Sequence, residues 1–197
     1  MLDATLHLVV AGGFASVTME AVARQAALAK TVVYNAYPNR TELLGALLQR
    51  ESERALGTFA DALASSGAAD GRASTAAGSA SADPLEAPLR WVEAIAVAIQ
   101  RDPTTWRLIL LPPDEPPEAL RTAVGAGREL VLDHVRVMLA ELAEVRPRIA
   151  RFDEDFLPLA LLAICEQGAH QLIGAPDEYD PARVVAFARD LLTALSA

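Results

Sequence analysis

The sequence predicts an all-α protein of about nine helices, with a small N-terminal helix-turn-helix domain followed by a larger helical domain. Three observations carry this expectation. Apolar residues recur at helical spacing along nearly the whole chain, the alternation that marks strands is nearly absent, and glycine and proline cut the chain into segments of helix length. With 197 residues, 52% of them hydrophobic, the chain holds enough apolar surface to build a sizeable core.

Leu2, Leu6, Val9 and Val10 form one stripe of a first helix, which stops at Gly12-Gly13; Phe14 then supplies a core plug. Thr18 precedes Met19-Glu20-Ala21-Val22-Ala23 and is placed to cap a short second helix running to Ala26 or Ala27. A tight turn leads to a third helix, from about Lys30 to Tyr37, closed by Pro38-Asn39. From Thr41 a longer amphipathic helix is expected to end near Ala64. Residues 65–83, SSGAADGRASTAAGSASAD, contain no large apolar side chain and are expected to form a mobile loop. Helices follow from Pro84 to about Arg101 and from Pro103 to Leu111. The run Pro112 to Pro117 is a rigid connector, and a long helix then extends from Glu118 to about Val145. The last two helices are expected at Phe156 to Ile173 and Pro181 to Leu195.

The third helix separates into two faces at about 100° per residue. Ala29, Val33, Ala36 and Tyr37 fall on the side suited to a core; Lys30, Thr31, Tyr34 and Asn35 fall on the other. One cation, a hydroxyl, a phenol and an amide on a rod of this diameter suit the major groove of a duplex. Lys30 and Thr31 at the helix start can reach base edges, while Tyr34, Asn35 and Arg40 can hold phosphates. Thr18, with the free N–H groups of the second helix behind it, adds a further phosphate position.

Charge distribution agrees with this division. The chain carries −9, yet residues 1–50 hold four basic against three acidic side chains, a net of +1, which leaves −10 for the remainder. An acidic body argues against indiscriminate polyanion binding and still permits it at the head. Lys30 is the only lysine among 17 basic residues, so it departs from the arginine habit of the chain. A single cysteine, Cys165, excludes an intrachain disulfide, and the N-terminal stretch lacks the basic region of a secretory signal. The longest apolar run, Phe156 to Cys165, is about half the length of a bilayer span. A cytoplasmic protein with no membrane partner is therefore expected.

The stretch GGF-(x)3-T-M-(x)2-V-A-(x)2-A-(x)3-K-(x)3-Y-(x)2-Y, with Arg40 three residues beyond and Glu42-Leu43-Leu44 after it, resembles the DNA-binding domain of the TetR family of bacterial transcriptional regulators. The resemblance covers about residues 1–50. It implies that Thr18 is a cap and phosphate contact, that Lys30, Thr31 and Val32 are base-reading positions, that Tyr34 binds phosphate, that Tyr37 points inward and that Arg40 is the basic residue opening the fourth helix. Ala29 stands where the family usually has a serine cap, Thr31 where glycine is common, Val32 where threonine is common and Ala36 where histidine is common. Val32 has no hydrogen-bonding group and suits a thymine methyl.

The resemblance also implies a homodimer on a palindromic double-stranded DNA operator, acting as a repressor and released by a small-molecule effector. A helical interaction protein or co-regulator without sequence-specific DNA binding is the other reading. The domains expected are 1–45 for DNA binding and 46–197 for ligand binding and dimerisation. Apolar residues surround the helix from Phe156 to Ile173, so one side can face its own core and the other a second subunit. Leu161, Cys165, Gly168, Ala169 and Leu172, with Val184, Ala188, Leu191 and Leu195 of the final helix, are the candidate dimer residues. Trp91, Trp106, His134, Met138, Cys165 and Glu166 are candidate effector contacts, since aromatics with a few polar groups inside a helical bundle make a ligand site. The sequence leaves the charge of the ligand open.

Catalysis is not expected. Cys165 and His170 diverge by about 140° around one helix, and Glu166 with His170 supplies two ligands of a metal site without a third. No glycine-rich phosphate loop appears. Neither a cofactor nor a metal is expected.

Overall fold

In the computed structural model, residues 1–66, 83–112 and 114–196 are described, and the expected loop at 65–83 lies outside them except at its ends. Nine α-helices and no strand are found among the described residues. They are α1 (Leu2–Gly12), α2 (Met19–Gln25), α3 (Lys30–Ala36), α4 (Arg40–Ser66), α5 (Glu86–Arg101), α6 (Pro103–Leu110), α7 (Glu118–Val145), α8 (Phe156–Gly174) and α9 (Pro181–Ser196). Single 3-10 turns occupy Phe14–Ser16 and Ile149–Arg151.

The backbone packs into two compact units. The first comprises residues 1–56 and 102–127, the second residues 57–101 and 128–197, so α4 and α7 contribute to both. The core of the first unit gathers Val9, Val22, Val33, Leu43, Leu47 and Leu108, all fully buried, around Phe14 and Leu120. Each comes from the apolar stripe of its own helix, and removing such side chains from water supplies about 1.5–3 kcal/mol apiece.

Local sequence sets the ends of the helices. Thr18 is in extended conformation and its hydroxyl accepts the Ala21 N–H at 3.0 Å, capping α2. Asp102 accepts the Thr105 N–H at 3.3 Å with Pro103 at the first position of α6, and Asp180 accepts the Arg183 N–H at 2.7 Å with Pro181 opening α9. Ala27, between α2 and α3, has φ of 53°, a conformation that costs a residue with a Cβ roughly 1–2 kcal/mol.

Two polar clusters brace the first unit. The Asp114 carboxylate accepts the Phe14 N–H at 2.9 and 3.1 Å, and the Arg40 guanidinium donates to the carbonyls of Phe14 at 2.6 Å and Val17 at 2.8 Å. The backbone of Phe14 is thus held on both sides. Gly13 before it has φ of 78° and ψ of 172°, and a Cβ there would lie 2.5 Å from Asp114 Oδ2. Glu51, fully buried, forms the second cluster: it pairs with Arg50 at 2.6 Å and accepts the Thr105 hydroxyl at 2.5 Å, while Arg50 also reaches Asp3 at 2.7 Å. Arg54 joins Glu51 to Asp102. Together these contacts tie α4 to α1 and α6.

In the second unit α5 packs on α8 and α9, and Leu85, Leu89, Val135, Leu139, Leu142, Leu161 and Leu192 form the core. The ten-residue apolar run seen in the sequence sits inside α8, which at 19 residues and mean hydropathy 1.3 is long and apolar enough by composition to cross a membrane. A third of it is buried inside the chain. It also carries Glu166, Gln167, His170 and Gln171. The same unit leaves Phe156, Leu159 and Ile164 of α8 and Phe187 of α9 exposed.

Candidate functional site

Helix α3 is seven residues long and anchored by Val33, which is fully buried. With two turns only, a single central apolar residue fixes its rotation. Lys30, Thr31, Tyr34 and Asn35 are consequently exposed, as is Val32. Tyr37, just beyond the helix, packs half-buried against the core of the first unit. Ala29 and Ala36, expected on the inward side, are exposed instead, because methyl groups at the two ends of so short a helix add little to its anchoring.

Ala29 occupies the N-cap position of α3 and offers no side-chain acceptor, so the first N–H groups of that helix remain open at the surface. Lys30 Nζ lies 3.4 Å from Glu20 Oε1 of α2, both exposed. The Glu20 carboxyl is held below its usual range first by backbone N–H donation and then by Lys30. Solvent-exposed ion pairs contribute little to stability, so Lys30 can exchange Glu20 for another acceptor at small cost. Thr18 stands exposed beside its cap bond. Arg40 differs from the expectation of a free phosphate ligand, since two backbone carbonyls engage its Nε and Nη2.

The candidate effector residues do not all converge. Trp91, Met138 and Cys165 line a cavity of 460 Å³ in the second unit. His134 packs on Trp91 at 5.0 Å between ring centroids, with Phe59 edge-on to both, and lines a smaller groove of 230 Å³ that Met138 shares. Burial pushes the His134 imidazole below its ordinary pKa, which favours the neutral ring. Cys165 is open to solvent through the cavity. The atoms packed around its sulfur, and secondly Glu166, push the thiol up to about 11, leaving it protonated and unreactive at neutral pH. Glu166 pairs with Arg128 at 2.6 Å. Trp106, on α6, belongs to the first unit.

Of the candidate dimer residues, Leu161, Ala169 and Leu172 are buried within the chain, whereas Cys165 is exposed and Gly168, Val184, Ala188, Leu191 and Leu195 are partly covered. Ile164 and Phe187, outside that set of nine, are exposed, the latter 55%. Both sit among apolar neighbours in the sequence, and nothing local distinguishes an outward aromatic from an inward one.

Three short helices around one core, with a polar face on the third, define a helix-turn-helix protein. Residues 1–47 match the family model described as bacterial regulatory proteins, tetR family. A search of curated proteins found no match. Among solved structures, a TetR-like transcriptional regulator from Rhodococcus sp. RHA1 is similar over 99% of this chain and 90% of its own, with 22% identity and a TM-score of 0.70. The fatty acid degradation regulator FadR from Bacillus halodurans is similar over 97% and 91%, with 14% identity and a TM-score of 0.71. FadR from Bacillus subtilis, in complex with stearoyl-CoA, is similar over 100% and 96%, with 14% identity and a TM-score of 0.65. At these identities the likeness establishes the fold alone, an all-helical TetR-like one, and the family match covers its N-terminal residues 1–47.

Proposed function

We propose that the chain is a homodimeric, ligand-responsive transcriptional repressor of the cytoplasm, which binds a palindromic operator and is released by a small-molecule effector. The observation that carries this reading is the outward face of α3, where Lys30, Thr31, Val32, Tyr34 and Asn35 are all exposed around a single buried anchor, Val33. Lys30, Thr31 and Val32 read bases; Tyr34, Asn35 and Thr18, with the first N–H groups of α2, hold phosphates. Arg40 acts mainly as a strut that positions the loop before α2, through its bonds to the Phe14 and Val17 carbonyls.

Residues 1–45 form the DNA-binding domain in this reading, and residues 46–197 bind effector and pair with a second copy. Exposed Ile164, Cys165 and Phe187 on α8 and α9 support the pairing, because burying apolar surface drives association. Stearoyl-CoA on the Bacillus subtilis protein of like fold supports the effector role; the 460 Å³ groove, lined by Ile164, Cys165 and Phe187 themselves, goes with the pairing face.

An electrophoretic shift against DNA flanking the gene for this chain tests the proposal. A retarded complex on a palindromic fragment, weakened by salt, is the expected outcome. A folded dimer that retards no such fragment at low salt refutes it.

A further inference from the structure

Between Asp3 and Glu42 the chain carries a single acidic residue, Glu20, and it stands on the surface that must approach a polyanion. Burial of Met19, Ala21, Val22 and Ala23 leaves Glu20 outward on α2, and burial of Val33 leaves Lys30 outward on α3. The two side chains meet across the turn between these helices, with Nζ 3.4 Å from Oε1. They are 64% and 49% exposed, so the pair adds little to stability. Backbone N–H donation, and then Lys30, hold the Glu20 carboxyl below its usual range, so it is ionised at neutral pH. A carboxylate facing a duplex is repelled by the phosphates of every sequence alike. Such a residue serves a reader of DNA only by distinguishing bases.

The chemistry of the pair matches one base pair. In the major groove guanine shows O6 and N7 as acceptors, and its cytosine shows the N4 amino group as a donor. O6 and N4 are themselves joined by a hydrogen bond of about 2.9 Å, close to the 3.4 Å between Nζ and Oε1. An ammonium on O6 and N7 with a carboxylate on N4 thus satisfies both strands at once. In an A·T pair the same places hold the adenine amino group and thymine O4, so both contacts change sign, as they do in C·G. A T·A pair keeps an acceptor and an amino group there but loses N7 for a methyl. Lysine suits this task better than the arginine used elsewhere in the chain. Its point charge on a flexible stem makes one contact with Glu20 and can reach a base edge without leaving it, whereas a guanidinium would be held in a two-bond fork.

We infer that Glu20 and Lys30 together read one G·C pair in each half-site, with Lys30 on guanine O6 and N7 and Glu20 on the cytosine amino group. Glu20 is then a specificity-determining residue on α2, which also draws Lys30 away from phosphates. The inference rests on the DNA-binding reading of α3 and adds to it a residue outside that helix.

Selection of bound duplexes from a random-sequence library, with the full chain, Glu20→Gln and Lys30→Ala, tests this without a known operator. The parent is expected to enrich G·C at one position of each half-site, with T·A second and A·T and C·G depleted. Both variants are expected to lose about tenfold of that preference at the same position and to keep the rest of the motif. Anisotropy should show Glu20→Gln binding the A·T version of the site more tightly than the parent does. Its thermal midpoint should match that of the parent, which separates base reading from a role in holding α2. A parent that enriches no sequence refutes the DNA-binding reading and this inference with it. A parent motif that Glu20→Gln leaves intact, relaxation at a different position from that of Lys30→Ala, or an equal loss at every position overturns this inference alone.

Discussion

The two units solve the problem of a surface in opposite ways. In the first, most large apolar side chains are withdrawn, Leu28, Val32 and Leu56 excepted, and the loops are tied down by polar contacts of long sequence separation, so the outward face of α3 is mainly hydrogen-bonding. In the second, large apolar groups stay outside around a groove on α8 and α9, and the Trp91 indole N–H meets no acceptor among the described residues. A braced unit with a polar face suits a polar partner. An unsealed apolar unit suits partners that complete it.

Breaking the polar bracing gives the largest expected effect. Glu51→Ala removes the centre of the Asp3, Arg50, Arg54 and Thr105 cluster and empties a fully buried position, while Arg50 keeps Asp3 and Arg54 keeps Asp102; the expected loss is about 3 kcal/mol in denaturant unfolding. Gly13→Ala comes next, at about 2 kcal/mol, because its backbone conformation is nearly exclusive to glycine and its Cβ displaces Asp114 from the Phe14 N–H. A Gly13→Ala protein as stable as the parent would show that the Asp114 clamp is dispensable.

These braces mark the limit of what the sequence discloses. The nine helices among the described residues were legible, because glycine, proline and the 3.6-residue period punctuate them, and the Thr18 cap follows from a threonine before an apolar stripe. The exposed face of α3 was legible for the same reason. The Asp114 clamp joins residues 100 positions apart, and no periodicity carries such information. Arg40 read as a free cation for the same cause: a carbonyl acceptor leaves no mark in a sequence. The Asp-Pro pairs that open α6 and α9 were visible signals that a search for apolar stripes passes over.

The second unit should respond differently. Phe187→Ser removes an exposed ring, so the stability of the isolated chain is expected to change by no more than about 0.5 kcal/mol. Sedimentation is where its effect should be found, as weaker self-association; an unchanged dimer would move the interface elsewhere. The smallest effect concerns pH. Burial lowers the folded-state pKa of His134 below the ordinary 6.5, so the unfolded chain binds the proton first. Its contribution to stability is present above about pH 6.5 and is lost as pH falls through that value toward the folded pKa. Thermal midpoints measured from pH 8 to 5 should show this decline, and His134→Phe should flatten it.

The central claim is that the face of α3 reads DNA with a division of labour. Fluorescence anisotropy of the palindrome nearest its own gene, and of single-base variants of it, tests this most directly. Tyr34→Ala should weaken binding to every duplex alike, whereas Lys30→Ala should also flatten the preference among bases at one position of each half-site. Equal losses across all duplexes for both variants would contradict the account.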